Sequence, residues 1–335
     1  MFNKNISLKT LVIIILPLFL LLAFLLWKTI GSYKNGFGTA SVSCKTSFKF
    51  INPQPGCEIS EQEELTRFGA LEAEITDFIN IVISAKQATR ISVFFRDLET
   101  KRWIGVNINE NYTPGSLFKL PLMIAYLKIA EIQSEILSQK FEYKDLEDIN
   151  KLRTITPSHS LEEGKTYTIE ELINYMIIYS DNDATALLYR NLNQQYLNKV
   201  YTDLGVYIPT SGGIDQNFLS VQTYAAILRS LYNASYLNRT MSEKALELLN
   251  NSEFKEGLTA GVPSSVRVAH KFGEKVAVDP GNGTVLSREL HDCGIVYFPD
   301  RPYIICIMAE GINLKNLQDI IKNISHLTYK KFASE

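Results

Sequence analysis

The chain has 335 residues, 46% of them hydrophobic, with 34 Lys and Arg against 36 Asp and Glu. That length and apolar content can bury one sizeable core or two small ones, and nearly balanced charge without a basic stripe excludes the electrostatic footprint of a nucleic-acid binder. No internal repeat or low-complexity tract marks a disordered region.

The chain opens with a polar segment carrying Lys4 and Lys9, followed by seventeen residues without charge, Leu11 to Trp27. Seventeen is at the short end of what spans a bilayer as a helix, and Trp27 with Lys28 is an interfacial finish. The run is longer than the usual signal-peptide core and no small-x-small site follows it directly, so an uncleaved anchor over residues 1–31 is preferred to a cleaved signal. Lys4 and Lys9 on one flank match Lys28 and Lys34 on the other, which leaves orientation open. Residues 32–59 lack a period and read as a tether. Cys44 and Cys57 lie there and could close a small loop in an oxidising compartment. Cys293 and Cys306 sit in apolar runs and read as small buried residues, not as a bridge.

A folded domain is expected over 60–335. Ser60 and Glu63 make a capping-box pattern, and Leu65, Phe68, Leu71, Ile75, Phe78 and Val82 recur at helical spacing. Ile91, Val93 and Phe95 alternate, as do residues 103–106, around a polar turn at Asp97 to Arg102, which predicts a β-hairpin. At Pro114-Gly115 a turn leads into a helix whose start carries Ser116 and Lys119. Three apart on a helix, these side chains share one face, about 5–6 Å between Cβ atoms. A serine hydroxyl needs a neighbouring base to become a nucleophile, and a helix N-terminus disfavours extra positive charge, so Lys119 is suited to be that base. Ser252 and Lys255 repeat the spacing, but no Pro-Gly turn precedes them and no long apolar helix follows.

Thr168 caps a further helix with Glu171 three residues on, and Leu172, Tyr175, Met176 and Ile178 give it an apolar face. It runs into Ser180-Asp181-Asn182, where the simplest interpretation is a surface corner with Ser and Asp capping the next helix. Val266 to Gly273 alternates like a half-buried strand and carries Lys271 before the glycine. Cys293 to Phe298 and Tyr303 to Met308 form another hairpin, and residues 312–332 a last helix with Leu314, Leu317, Ile320, Ile321 and Ile324 on one face. The expected architecture is α/β (α+β): strands from both ends in one antiparallel sheet flanked by helices, with a helical lobe inserted at about 116–255.

Ser116-x-x-Lys119, Ser180-Asp181-Asn182 and Lys271-Phe272-Gly273 stand in the order and approximate spacing of the Ser-x-x-Lys, Ser-Asp-Asn and Lys-Thr-Gly elements that the chain's resemblance to class A β-lactamases and penicillin-binding serine hydrolases rests on. Residues 164–168 and the strand Gly294 to Tyr297 also look like that family. The resemblance covers roughly residues 60–332 and implies the serine β-lactamase-like fold with a five-stranded sheet. It implies Ser116 as the nucleophile forming an acyl-enzyme, Lys119 as its proton acceptor and Ser180 as proton relay. It further implies Asn182, Lys271 and Gly273 in substrate binding, with the backbone N–H groups of Ser116 and Glu274 as oxyanion hole.

No cofactor or metal is implied. The implied partner is a small amide, either a β-lactam or a D-Ala-D-Ala-type cell-wall peptide, met outside the cytoplasm by a domain anchored in the membrane through residues 11–27. A non-enzymatic penicillin binder on the same fold is the third alternative. Two departures stand out. Phe272 replaces the usual threonine, which suggests a greasier pocket with weaker carboxylate binding. Leu204 to Ser220 is short and lacks the glutamate that activates the deacylating water, with Asp203 and Asp215 as the nearby carboxylates. Asp215 is the candidate to place that water.

Overall fold

Alternation of apolar residues at both ends of the chain builds a single sheet, as a computed structural model describing residues 49–51, 65–144, 154–211 and 213–333 shows. All of these residues belong to one unit, Thr46–Glu335. The residues 11–27, the Cys44 and Cys57 pair and the Ser60–Glu63 cap lie outside the described residues.

Helix α1 (Leu65–Ser84) leads into β1 (Arg90–Asp97) and β2 (Trp103–Val106), and the chain ends with β5 (Val268–Val278), β6 (Val285–Val296), β7 (Tyr303–Gly311) and α8 (Leu314–Ala333). The five strands form an antiparallel sheet in the order β2-β1-β7-β6-β5. Leu71, Ile75 and Ile79 of α1 and Leu317, Ile321 and Ile324 of α8 cover one face, against Val93, Phe95, Ile305 and Ile307. Stripes with this spacing bury one helix side and leave the other to water.

The opposite face carries the inserted lobe. It contains α2 (Lys119–Ala130), α3 (Ile169–Ile178), α4 (Asn182–Asn191), α5 (Gln194–Asp203), α6 (Val221–Tyr232) and α7 (Arg239–Asn250). Ten of the twelve residues of α2 are buried, from Lys119 to Leu127 and Ala130. An all-round apolar helix is stable only in a core, and here α2 is the axis on which the lobe packs. The lobe is not purely helical, because Lys140–Glu142 (β3) pairs with Thr166–Thr168 (β4). Strand β4 hands directly to α3, where Thr168 and Glu171 form the expected reciprocal cap.

The structure corrects the cysteine assignment. Cys293 and Cys306 are opposite each other on β6 and β7 and are joined by a disulfide. Both are buried, as expected, but register decides bonding, and register between two strands is not visible in the composition of either. Lys271 of β5 lies opposite Cys293, so the bridge backs the strand pair that holds this lysine.

Candidate active site

The site begins with a tight fit between a turn and a sheet edge. Gly115 has φ +52°, a left-handed conformation that glycine adopts without a Cβ penalty, and Gly115–Phe118 makes one 3₁₀ turn before α2 starts at Lys119. This turn lies against β5, the edge strand. A Cβ on Gly273 would stand 2.8 Å from the Pro114 carbonyl oxygen and 3.1 Å from the Leu117 nitrogen, and one on Gly115 would stand 2.7 Å from the Glu274 carbonyl oxygen. The backbones of Ser116 and Glu274 are therefore near neighbours. Gly273→Ala should push turn and strand apart, since backbone atoms cannot yield cheaply. The expected cost is about 1–3 kcal/mol of stability, checked by thermal unfolding.

The turn is held from behind by two residues that sequence reasoning missed. Glu289 Oε2 accepts the Thr113 N–H at 3.0 Å, and His291 Nε2 lies 2.9 Å from the Thr113 carbonyl oxygen, to which it donates as the Nε2–H tautomer. They stand two apart on β6, hence on one face, and fix both backbone groups of the residue three before Ser116. Arg90 extends this support to Glu289 and Glu310. A Glu-x-His pair in a strand signals its shared face, but not a partner 176 residues away.

Ser180 ends the α3 segment with φ +58°, rare for a residue with a side chain. The conformation is imposed from both sides: Asp181 N–H bonds back to the Tyr175 carbonyl, and the Asp181 carboxylate caps α4 by accepting the Ala184 N–H at 2.6 Å. The capping role expected of Asp181 is present, but Ser180 and Asp181 are fully buried, so this is an interior corner and not a surface one. Held this way, Ser180 presents its hydroxyl to two lysines. Lys119 Nζ donates to Ser180 Oγ at 3.2 Å, to Asn182 Oδ1 at 2.8 Å and to the Ser180 carbonyl oxygen. Lys271 Nζ donates to Ser180 Oγ at 2.9 Å and to the Phe272 carbonyl at 3.0 Å. Lys119 is 4% exposed and Lys271 fully buried. The three motifs, distant in sequence, meet on one oxygen.

A sequence profile of the β-lactamase enzyme family matches residues 70–332. The chain belongs to this family. It is a serine hydrolase with the class A β-lactamase fold. It is 23% identical to the β-lactamase VEB-1 of Pseudomonas aeruginosa over 77% of this chain and 90% of that enzyme. It superposes on a class A β-lactamase representative from Bacteroides cellulosilyticus with TM-score 0.65 at 21% identity, covering 79% of this chain and 99% of that one. A point mutant of PBP-A, solved as an acyl-enzyme complex with penicillin G, matches with TM-score 0.63 at 19% identity over 80% and 97% of the two chains.

Within this β-lactamase-family site, Phe272 does not open onto the cleft as a greasy wall. It is 1% exposed and stacks on Phe254 with ring centroids 4.3 Å apart, beneath Lys271 Nζ at 4.2 Å from its ring centre. A strand residue next to Lys271 points to the other side of the sheet, which is the correction to the sequence expectation. Asp215 closes the 3₁₀ turn Gly213–Asp215, 69% exposed, and its carboxylate is bonded to Lys275. Its partner Lys275 is not a member of the Lys119–Ser180–Lys271 cluster. The second Ser-x-x-Lys match is a helix end: Ser252 is buried and Lys255 Nζ donates to the Ser252 carbonyl at 2.6 Å. Among the described residues no group of His, Cys, Asp and Glu could hold a metal ion, and no helix is long and apolar enough to cross a membrane.

Proposed function

We propose that this β-lactamase-family hydrolase forms an acyl-enzyme through Ser116 on a β-lactam or a related amide and releases the acyl group slowly. The observation that carries this reading is the convergence of Lys119 and Lys271 on Ser180 Oγ beside the Ser116 turn. The two Nζ atoms are at most about 6 Å apart, where like charges oppose each other's protonation. A single positive charge between them leaves Lys119 able to act as an amine, with two N–H groups for the three acceptors around it and a lone pair for the Ser116 proton. Ser116 Oγ attacks the amide carbonyl carbon while Lys119 takes its proton. The oxyanion is met by the N–H groups of Ser116 and Glu274, donors of a kind worth about 3–4 kcal/mol. The C–N bond then breaks. Ser180 accepts from both lysines on its two lone pairs, so its own proton faces the leaving nitrogen, to which it passes while Lys119 reprotonates it. Asn182 orients the substrate amide, and Gly273 lets the Ser116 turn pack against β5. Lys271 draws the substrate's anionic group.

Release is the weak step. Hydrolysis of the ester needs a base for water, and the short Leu204–Ser220 stretch offers Asp215, which stands in an exposed ion pair with Lys275 apart from the cluster around Ser180 Oγ. This favours the second reading, a D-Ala-D-Ala-type peptidase that penicillin traps, over a fast β-lactamase. The acyl complex of the PBP-A mutant with penicillin G supports a fold that can keep such an adduct. Intact-mass spectrometry after removal of excess benzylpenicillin tests this. A persistent adduct is expected. Regeneration of the free mass within about a second, as at ordinary enzyme turnover, would establish a fast β-lactamase instead.

We also propose that the domain works outside the cytoplasm on an anchor formed by residues 11–27. The Cys293–Cys306 disulfide supports an oxidising compartment.

A further inference from the structure

We infer that the cavity between the far end of α2 and α5 is a second binding site, and that it takes a flat aromatic carboxylate. The inference stands apart from the acyl-transfer reading: Lys128, at this end of α2, lies nine residues beyond Lys119, about 14 Å of helix.

Shape comes first. Tyr196, Lys199, Val200 and Asp203 follow the i, i+3, i+4, i+7 spacing that gathers side chains on one face of a helix, here α5. That face meets Ile129 at the end of α2 and Ile132 in the turn beyond it, and Tyr236, from the connection between α6 and α7, adds a further wall. The hollow measures about 410 Å³, within the range of small-molecule sites. Val200 is buried and Ile129 half-buried, but Ile132 is 88% exposed. An isoleucine left in water at the edge of an apolar hollow gains burial when a ligand covers it. The two phenol rings favour a ring as the covering group, since aromatic pairs attract beyond the area they bury.

Charge selects the other end of the ligand. The two carboxylates here are already matched. Asp203 accepts from Lys199 Nζ at 2.9 and 2.6 Å and from the Tyr236 hydroxyl at 3.1 Å. Glu131 accepts from Lys128 Nζ at 2.8 Å and from the Asn238 N–H at 2.5 Å, and Lys128 also donates to the Tyr236 carbonyl at 2.6 Å. An ammonium has three N–H groups. Among the described residues each of these lysines uses two, to the two Asp203 oxygens or to Glu131 and Tyr236, which leaves one donor apiece at the cavity. A ligand carboxylate is the group that two spare ammonium donors attract. Lys199, with its side chain 67% exposed, takes it at little desolvation cost. A ligand cation would meet two lysines and two carboxylates that are already paired.

Isothermal titration calorimetry on the full chain tests the site with naphthylacetate, naphthylethanol and naphthylethylammonium, which share a ring system and differ in the head group. The acid should bind at least about tenfold tighter than the alcohol, the size of one good polar contact, and the amine no tighter than the alcohol. Lys199→Met keeps the aliphatic stem and removes the ammonium, so it should weaken the acid about tenfold and leave the alcohol as it was. Ile132→Ser should weaken acid and alcohol alike, about fivefold. Both positions are exposed, and the variants are titrated below the temperature at which thermal unfolding begins. Equal affinities for acid and alcohol, a tighter amine, no binding of the acid, or an acid affinity that Lys199→Met does not lower would overturn the carboxylate site. Unchanged affinities in Ile132→Ser would place the ligand elsewhere and overturn it as well.

Discussion

Lys119→Ala should slow acylation by benzylpenicillin about 10²- to 10⁴-fold, the range that general bases contribute. The substitution removes the amine at the start of α2 and with it the donor that now fills Ser180 Oγ, the Ser180 carbonyl and Asn182 Oδ1. Two effects therefore arrive together. The chemical one is loss of the proton acceptor for Ser116. The structural one is loss of a partner for buried acceptors, about 1–3 kcal/mol for each left unsatisfied, so thermal unfolding is measured beside single-turnover acylation. Lys119→Arg separates them, because a guanidinium keeps donors but does not give up its proton in proteins. If Lys119 is the base, the arginine variant stays as slow as the alanine one. A folded Lys119→Ala protein acylated at the parental rate would show that the base lies elsewhere.

Ser116→Ala has the larger effect, complete loss of the covalent adduct. No neighbour can substitute. Ser180 Oγ accepts from two lysines inside a fully buried corner, and Ser252 is buried at the end of α7 with its motif lysine turned onto its own carbonyl. The variant should fold as well as the parent, since Ser116 is half-buried in a 3₁₀ turn whose shape depends on Gly115 and Thr113.

The order of elements was legible because each is local, and the three motifs because they follow one another in the order and spacing that the family resemblance rests on. Apolar alternation marks β1 and β7, a reciprocal Thr168–Glu171 cap marks α3, and Ser116 with Lys119 needs one turn of chain to come together. What depended on tertiary register was not legible. The Cys293–Cys306 bond requires knowing that β6 and β7 pair at those residues. The hold of Glu289 and His291 on Thr113 requires the turn to dock over β6. Strands β5 and β6 run further than their apolar parts suggest, to Val278 and from Val285, because their outer halves carry Glu274, Lys275, Arg288 and Glu289, charges that break the alternation while backbone pairing continues. Phe272 showed as a departure, but its direction followed from the pleat: Lys271 faces Ser180, so its neighbour faces Phe254.

The proposed acylation of Ser116 runs its proton through Lys119 and Ser180. Its most direct test is peptide mapping of the protein after exposure to benzylpenicillin, run beside Ser116→Ala. One penicilloyl group on the peptide that contains Ser116, with none on the variant, is the predicted result. An adduct on any other residue, an adduct on Ser116→Ala, or no adduct on the parent would contradict it.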